Sequence, residues 1–154
     1  MKRLSLAVLS LLALGAFSSG LRAQKATLSV TQTAKTTTVK IHYKPYFNLL
    51  KLPDYVILGF GTKQGTTRHQ FKSITFLTDL VFDIDHALIL PAGKLDERGD
   101  LVYTLPLGNK GLVTYPFYVQ ANVLHFTLTL FPKKGFIGRF LKTNLVKFLI
   151  GLGR

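Results

Sequence analysis

Alternation with a period of two runs through much of this chain, and that period belongs to β-strands. In TTTVKIHYK, Val39, Ile41 and Tyr43 face one way while Lys40, His42 and Lys44 face the other. ATLSVTQ sets Leu28 and Val30 against Thr27, Ser29 and Thr31. YPFYVQANV places Tyr115, Phe117, Val119, Ala121 and Val123 on one face, with Tyr118, Gln120 and Asn122 opposite, and HFTLTLF aligns Phe126, Leu128 and Leu130. DYVILGF, HALIL and LVYTLPL are shorter apolar runs suited to core strands. Turn signals separate them: Lys44-Pro45, Leu52-Pro53-Asp54, Gly59 to Gly65, Pro91-Ala92-Gly93, Arg98-Gly99-Asp100 and Gly108-Asn109-Lys110-Gly111. Many short strands with frequent turns predict an all-β protein, an antiparallel β-sandwich of seven to nine strands. FKSITFLTDLVF fits either a strand and loop or a short helix.

The two ends differ from this pattern. Lys2 and Arg3 precede an apolar stretch, Leu4 to Ala16, and a small, polar region ending at Ala23. That layout predicts a cleaved secretory signal peptide over residues 1–23, with Gly20 as a second cleavage point, and hence an exported, periplasmic or extracellular protein. The apolar stretch falls short of the roughly 20 residues a membrane span needs. The remaining 131 residues suffice for one domain, and with no cysteine anywhere they must be held by packing alone.

At the other end, GFIGRFLKTNLVKFLIGLGR carries basic residues and no acid. On a 3.6-residue period Ile137, Phe140, Leu141, Leu145, Phe148, Leu149 and Leu152 share one face, opposite Arg139, Lys142, Thr143 and Lys147. The expectation is a β-sandwich domain over 24–131 followed by a basic amphipathic C-terminal α-helix over 132–154. Lys133, Lys134, Phe136, Arg139, Phe140, Lys142, Lys147 and Phe148 are its candidate membrane- or anion-binding residues. The same helix would alternatively pack its apolar face on its own core or on a protein partner.

Charge narrows the partner. The chain carries +13; removing residues 1–23 takes Lys2, Arg3 and Arg22 and leaves 17 basic against seven acidic residues, or +10. Residues 132–154 hold six basic residues and no acid, while six of the seven acids lie between Asp79 and Asp100. Such asymmetry points to a polyanion, either an anionic membrane surface or an acidic polysaccharide. Export argues against nucleic acid, although Tyr43, Lys44, Tyr46, Phe47 and Lys51 interleave aromatic and basic residues as a stacking platform does.

Catalytic patterns are weak. Absent cysteine removes thiol nucleophiles and Cys-ligated metals, Ser73 is the only serine after Ser29, and Glu97 is the only glutamate. No Gly-x-Ser-x-Gly elbow occurs, and Gly59, Gly61 and Gly65 lack phosphate-loop spacing. Asp83 and Asp85, with Asp79, are too few oxygens for a calcium loop. His42, His69, His86 and His125 are scattered over expected strand exteriors and loops without metal-type pairing. Arg98-Gly99-Asp100 matches a tripeptide recognised by some adhesion receptors, but a hairpin turn explains it. The chain reads as a non-catalytic module without cofactor or metal.

Asp96 and Gly99, the strand from Leu101 to Pro106, the bend at Gly111-Leu112 and the aromatic strand Phe117-Tyr118-Val119-Gln120-Ala121 together resemble the closing strands of small secreted bacterial β-sandwich domains. Upstream, YVILGFG is similar to a Leu-Gly element of the same pattern, so the resemblance covers about residues 55–130. It implies a sandwich fold and a surface or extracellular module of uncharacterised function. Such domains end after the last strand; the basic tail is a departure from them.

Overall fold

The computed structural model describes residues 25–45, 52–71, 74–81, 87–111, 113–129 and 135–152. The described residues form ten strands and no helix. In chain order these are β1 (Thr27–Gln32), β2 (Thr37–His42), β3 (Tyr55–Gly61), β4 (Gln64–Phe71), β5 (Ile74–Leu80), β6 (Ala87–Lys94), β7 (Asp100–Leu105), β8 (Val113–Thr129), β9 (Gly135–Lys142) and β10 (Val146–Leu152). One sheet has the order β1-β2-β7, a second the order β10-β8-β3-β6 with β9 also on β8, and β4 pairs with β5. Every pairing is antiparallel.

The alternation read from the sequence places the core. Leu28 on β1 and Val39 and Ile41 on β2 are buried, and Lys40 and His42 between them are exposed. Across from them Val56, Leu58 and Phe60 of β3, Val119, Ala121 and Val123 of β8, and Phe148 and Ile150 of β10 are buried in the same cluster. The apolar faces of the two larger sheets thus share one core. The ambiguous stretch after Phe71 resolves as strand over its described part, since Ile74–Leu80 pairs with β4.

At 17 residues, β8 is the spine of the second sheet, about 55 Å long at the usual rise per residue. On one side it pairs with β3, from Gly61↔Tyr118 to Tyr55↔Leu124. On the other it pairs first with β10 and then with β9. Between Lys142↔Asn122 and Val146↔Val119, three residues (Thr143, Asn144, Leu145) stand opposite two (Gln120, Ala121), which is a β-bulge. Thr143 closes it: its backbone N–H donates to Ala121 O, and its Oγ1 accepts the Ala121 N–H, both at 2.9 Å. The bulge turns the Asn144 side chain onto the edge of the other sheet. There Leu28 N–H donates to Asn144 Oδ1 at 2.8 Å, and Asn144 Nδ2 donates to Leu28 O at 2.9 Å.

The expected C-terminal helix is therefore corrected: Gly135–Lys142 and Val146–Leu152 are strands. Val146, Phe148 and Ile150 alternate with Lys147, Leu149 and Gly151, so a two-residue period coexists with the helical one. The unpaired side of β8 decides between them, because its backbone groups gain partners only if the tail is extended. Glycine at 138 and 151 adds a helix penalty of roughly 1 kcal/mol each. Gly151 packs directly on the loop before β8: a Cβ there would stand 2.7 Å from the Lys110 carbonyl carbon.

Candidate functional site

The residues expected to form one cationic helix face are dispersed by the strand geometry. Phe148 is buried in the core and Phe140 is half-buried. Lys142 donates from Nζ to Asp79 Oδ1 at 2.6 Å. Arg139 and Lys147 are exposed, but Arg139 lies opposite His125 whereas Lys142 and Lys147 lie opposite Asn122 and Tyr118. Arg139 therefore takes the other face of the sheet. Phe136 belongs to β9 with its side chain outside the described residues, as are Lys133 and Lys134 altogether. Tyr46, Phe47, Lys51, Ser73, Asp83, Asp85 and His86 also lie outside them.

What replaces the helix face is an imbalance in how charges are used. Asp79 bridges layers: its backbone N–H donates to Gln120 Oε1 at 2.8 Å, and Gln120 Nε2 donates to its Oδ2 at 2.7 Å. Gln120 Nε2 also donates to Thr143 O at 3.0 Å, so β5 is tied to the bulge. Burial raises the Asp79 carboxyl, but hydrogen bonds from Lys142 and Gln120 and the Lys142 charge outweigh it and hold the group below its ordinary 3.8. A depressed folded-state value means the stabilisation is present at neutral pH and is lost as the pH falls below about 4. Asp79→Asn is expected to flatten the acid limb of a stability-versus-pH curve in that range. Its neutral-pH cost should be under about 1 kcal/mol, because the ion pair is more than a third exposed. Urea titrations from pH 3 to pH 7 check both statements.

Asp100 accepts from His42 Nδ1 at 2.9 Å and pairs with Lys40 at 3.5 Å. The His42 hydrogen bond, against a smaller opposing effect of burial, holds the carboxyl low, helped by Lys40. Asp96 Oδ1 accepts the Arg98 and Asp100 N–H groups at 2.9 and 2.8 Å, fixing the turn that carries Arg98-Gly99-Asp100. Tyr43 N–H donates to Gly99 O at 2.9 Å, so this tripeptide is folded back on the molecule. Gly99 has φ +84°, and a Cβ there would stand 2.3 Å from the Tyr43 carbonyl oxygen. Gly99→Ala should cost roughly 2 kcal/mol or more in a urea titration.

Asp54 is the fourth acid used internally. Its Oδ1 accepts from His125 Nδ1 at 2.7 Å, with both side chains buried. The Tyr43 ring meets His125 edge-on at 5.6 Å. Burial, and then the Asp54 charge, push the Tyr43 hydroxyl up. Tyr43 and Asp54, but not His125, line a cleft of about 700 Å³ together with Pro45, Leu52, Pro53 and Leu95, with Lys44, Lys94, Asp96 and Glu97 also on its wall. Sequence reasoning placed His125 outside, yet it is in phase with Val119, Ala121 and Val123, and that phase was the available signal. Its acid partner, 71 residues away, carries no local signal. Among the described residues, no three His, Asp or Glu side chains gather as a metal site.

Of the five described acids, then, four are held by internal partners and only Glu97 is not. By contrast Lys25, Lys35, Lys63, Arg68, Lys110, Arg139 and Lys147 are exposed and make no ion pair among the described residues. No family model matches the chain, and no curated protein or solved structure matches it.

Proposed function

We propose that this chain is an exported, non-catalytic binding module of the cell envelope or extracellular space. It engages a polyanionic surface, anionic lipid or acidic glycan, through basic side chains presented on a rigid all-β scaffold. The observation that carries this reading is the charge usage: four of the five described acids are absorbed by the fold, while seven exposed cations make no ion pair among the described residues. A surface of that kind attracts polyanions over roughly a Debye length, about 8 Å at physiological ionic strength. The layout of residues 1–23, basic then apolar then small, supports export.

The test is retention on immobilised dextran sulfate and co-sedimentation with anionic vesicles, each over a salt series. Retention that falls steadily as salt rises is the expected result. Absence of binding to both probes at low salt would end the proposal.

A further inference from the structure

We propose that one end of the molecule, formed by residues 33–36, 106–111, the start of β8 and the middle of β10, docks on an anionic lipid bilayer; this rests on the polyanion-binding reading above. The end is a tied unit. Asn109 N–H donates to Thr33 O at 3.0 Å and Gly151 N–H to Gly108 O at 3.2 Å. Thr37 Oγ1 donates to Leu107 O at 2.6 Å and Gln32 Nε2 to Leu149 O at 2.7 Å.

Its apolar exposure follows from the sheet. β3 stops pairing at Tyr118, so β8 runs on with β10 on one side only. Val113 is left 52% exposed and Tyr115 49%, with Leu107 at 44% and Leu149 at 39% nearby. Lys35 and Lys110 project from the two turns at this end, neither with an acid partner among the described residues. The antiparallel registers put Asp54, Asp96, Glu97 and Asp100 at the opposite end, where His42 faces Asp100 and Tyr55 faces Lys94. Asp79 lies between and is neutralised by Lys142.

A highly charged glycan would use the lysines and leave Leu107, Val113 and Tyr115 in water. A bilayer takes both: apolar side chains enter the headgroup boundary, tyrosine suits that depth, and lysine meets anionic headgroups. The combination of lysine and exposed hydrophobe at one end, with four of the five described acids at the other, selects lipid.

The chain contains no tryptophan, so a single introduced one reports its own site. Val113→Trp and, at an exposed position on β7, Val102→Trp are made in the protein as the expressing cell releases it. Each is mixed with phosphatidylcholine vesicles with and without phosphatidylglycerol. The expected result is a blue shift, and quenching by brominated lipid, for Val113→Trp with the anionic vesicles only, and no change for Val102→Trp. Lys35→Gln and Lys110→Gln should each weaken partitioning about fivefold, and Tyr115→Ser about tenfold. Unchanged thermal unfolding shows that these variants remain folded. Vesicle binding without a shift at position 113, or equal shifts at 113 and 102, would overturn the docking geometry. Salt-sensitive retention on dextran sulfate without vesicle binding would overturn the lipid inference and leave the polyanion reading standing. Failure on both probes would remove both.

Discussion

A chain ended at Phe131 will show no cooperative unfolding transition. The truncation removes β9 and β10, which supply eight and seven register pairs to β8. It also strips Phe148 and Ile150 from the core cluster and removes Val146 and Leu141 from beside Val119 and Val123. Burying one large apolar side chain contributes about 1.5–3 kcal/mol, and a domain of this kind has only about 5–15 kcal/mol in total. The loss of two strands therefore exceeds what the remainder can absorb. A milder companion is Phe148→Ala, expected to cost about 3–5 kcal/mol. Urea denaturation followed by far-ultraviolet circular dichroism reads both. A truncated chain with a sharp transition at the full-length midpoint would show that the last two strands are accessory.

His125→Ala should cost about 3 kcal/mol, more than its lost contacts alone would suggest. The substitution leaves Asp54 buried without its 2.7 Å partner, and removing one member of a buried pair costs more than removing both. The double variant Asp54→Leu/His125→Phe should recover most of the loss, because the apolar replacements leave no polar group unpaired. A double-mutant cycle in urea measures the coupling. A coupling near zero would show that the pair is not linked in the folded protein.

Sequence periodicity made some of these elements legible and left others hidden. β1 and β2 were readable because a solvated face alternates with a buried one over every residue. In β8 the alternation was also right, but Gln120 and Asn122 are buried on the face that alternation assigns to polar residues. β5 covers that face, and no local pattern in β8 announces it. β9 and β10 were misread because their leucines, phenylalanines and glycines satisfy both a 3.6-residue and a two-residue period. The deciding fact, an unpaired side on a strand some twenty residues earlier, lies outside any local window. The apolar end was illegible for a similar reason. Val113 and Tyr115 are in phase with core residues and are exposed only because β3 ends where it does. The internal use of acids likewise emerged only in three dimensions, since His125 and Gln120 meet their partners 71 and 41 residues away in sequence.

The Asn144 bracket on Leu28 bears on the order of events during synthesis. Its two ends are 116 residues apart, so the first strand waits for nearly the last before its outer edge is secured. Structure built from such distant pairings forms slowly, because a long loop must close before any contact rewards it. A ribosome that has delivered only β8 has made a spine with one side bare and the core half-roofed. Such a chain keeps that side of β8 open until β9 and β10 arrive to pair with it.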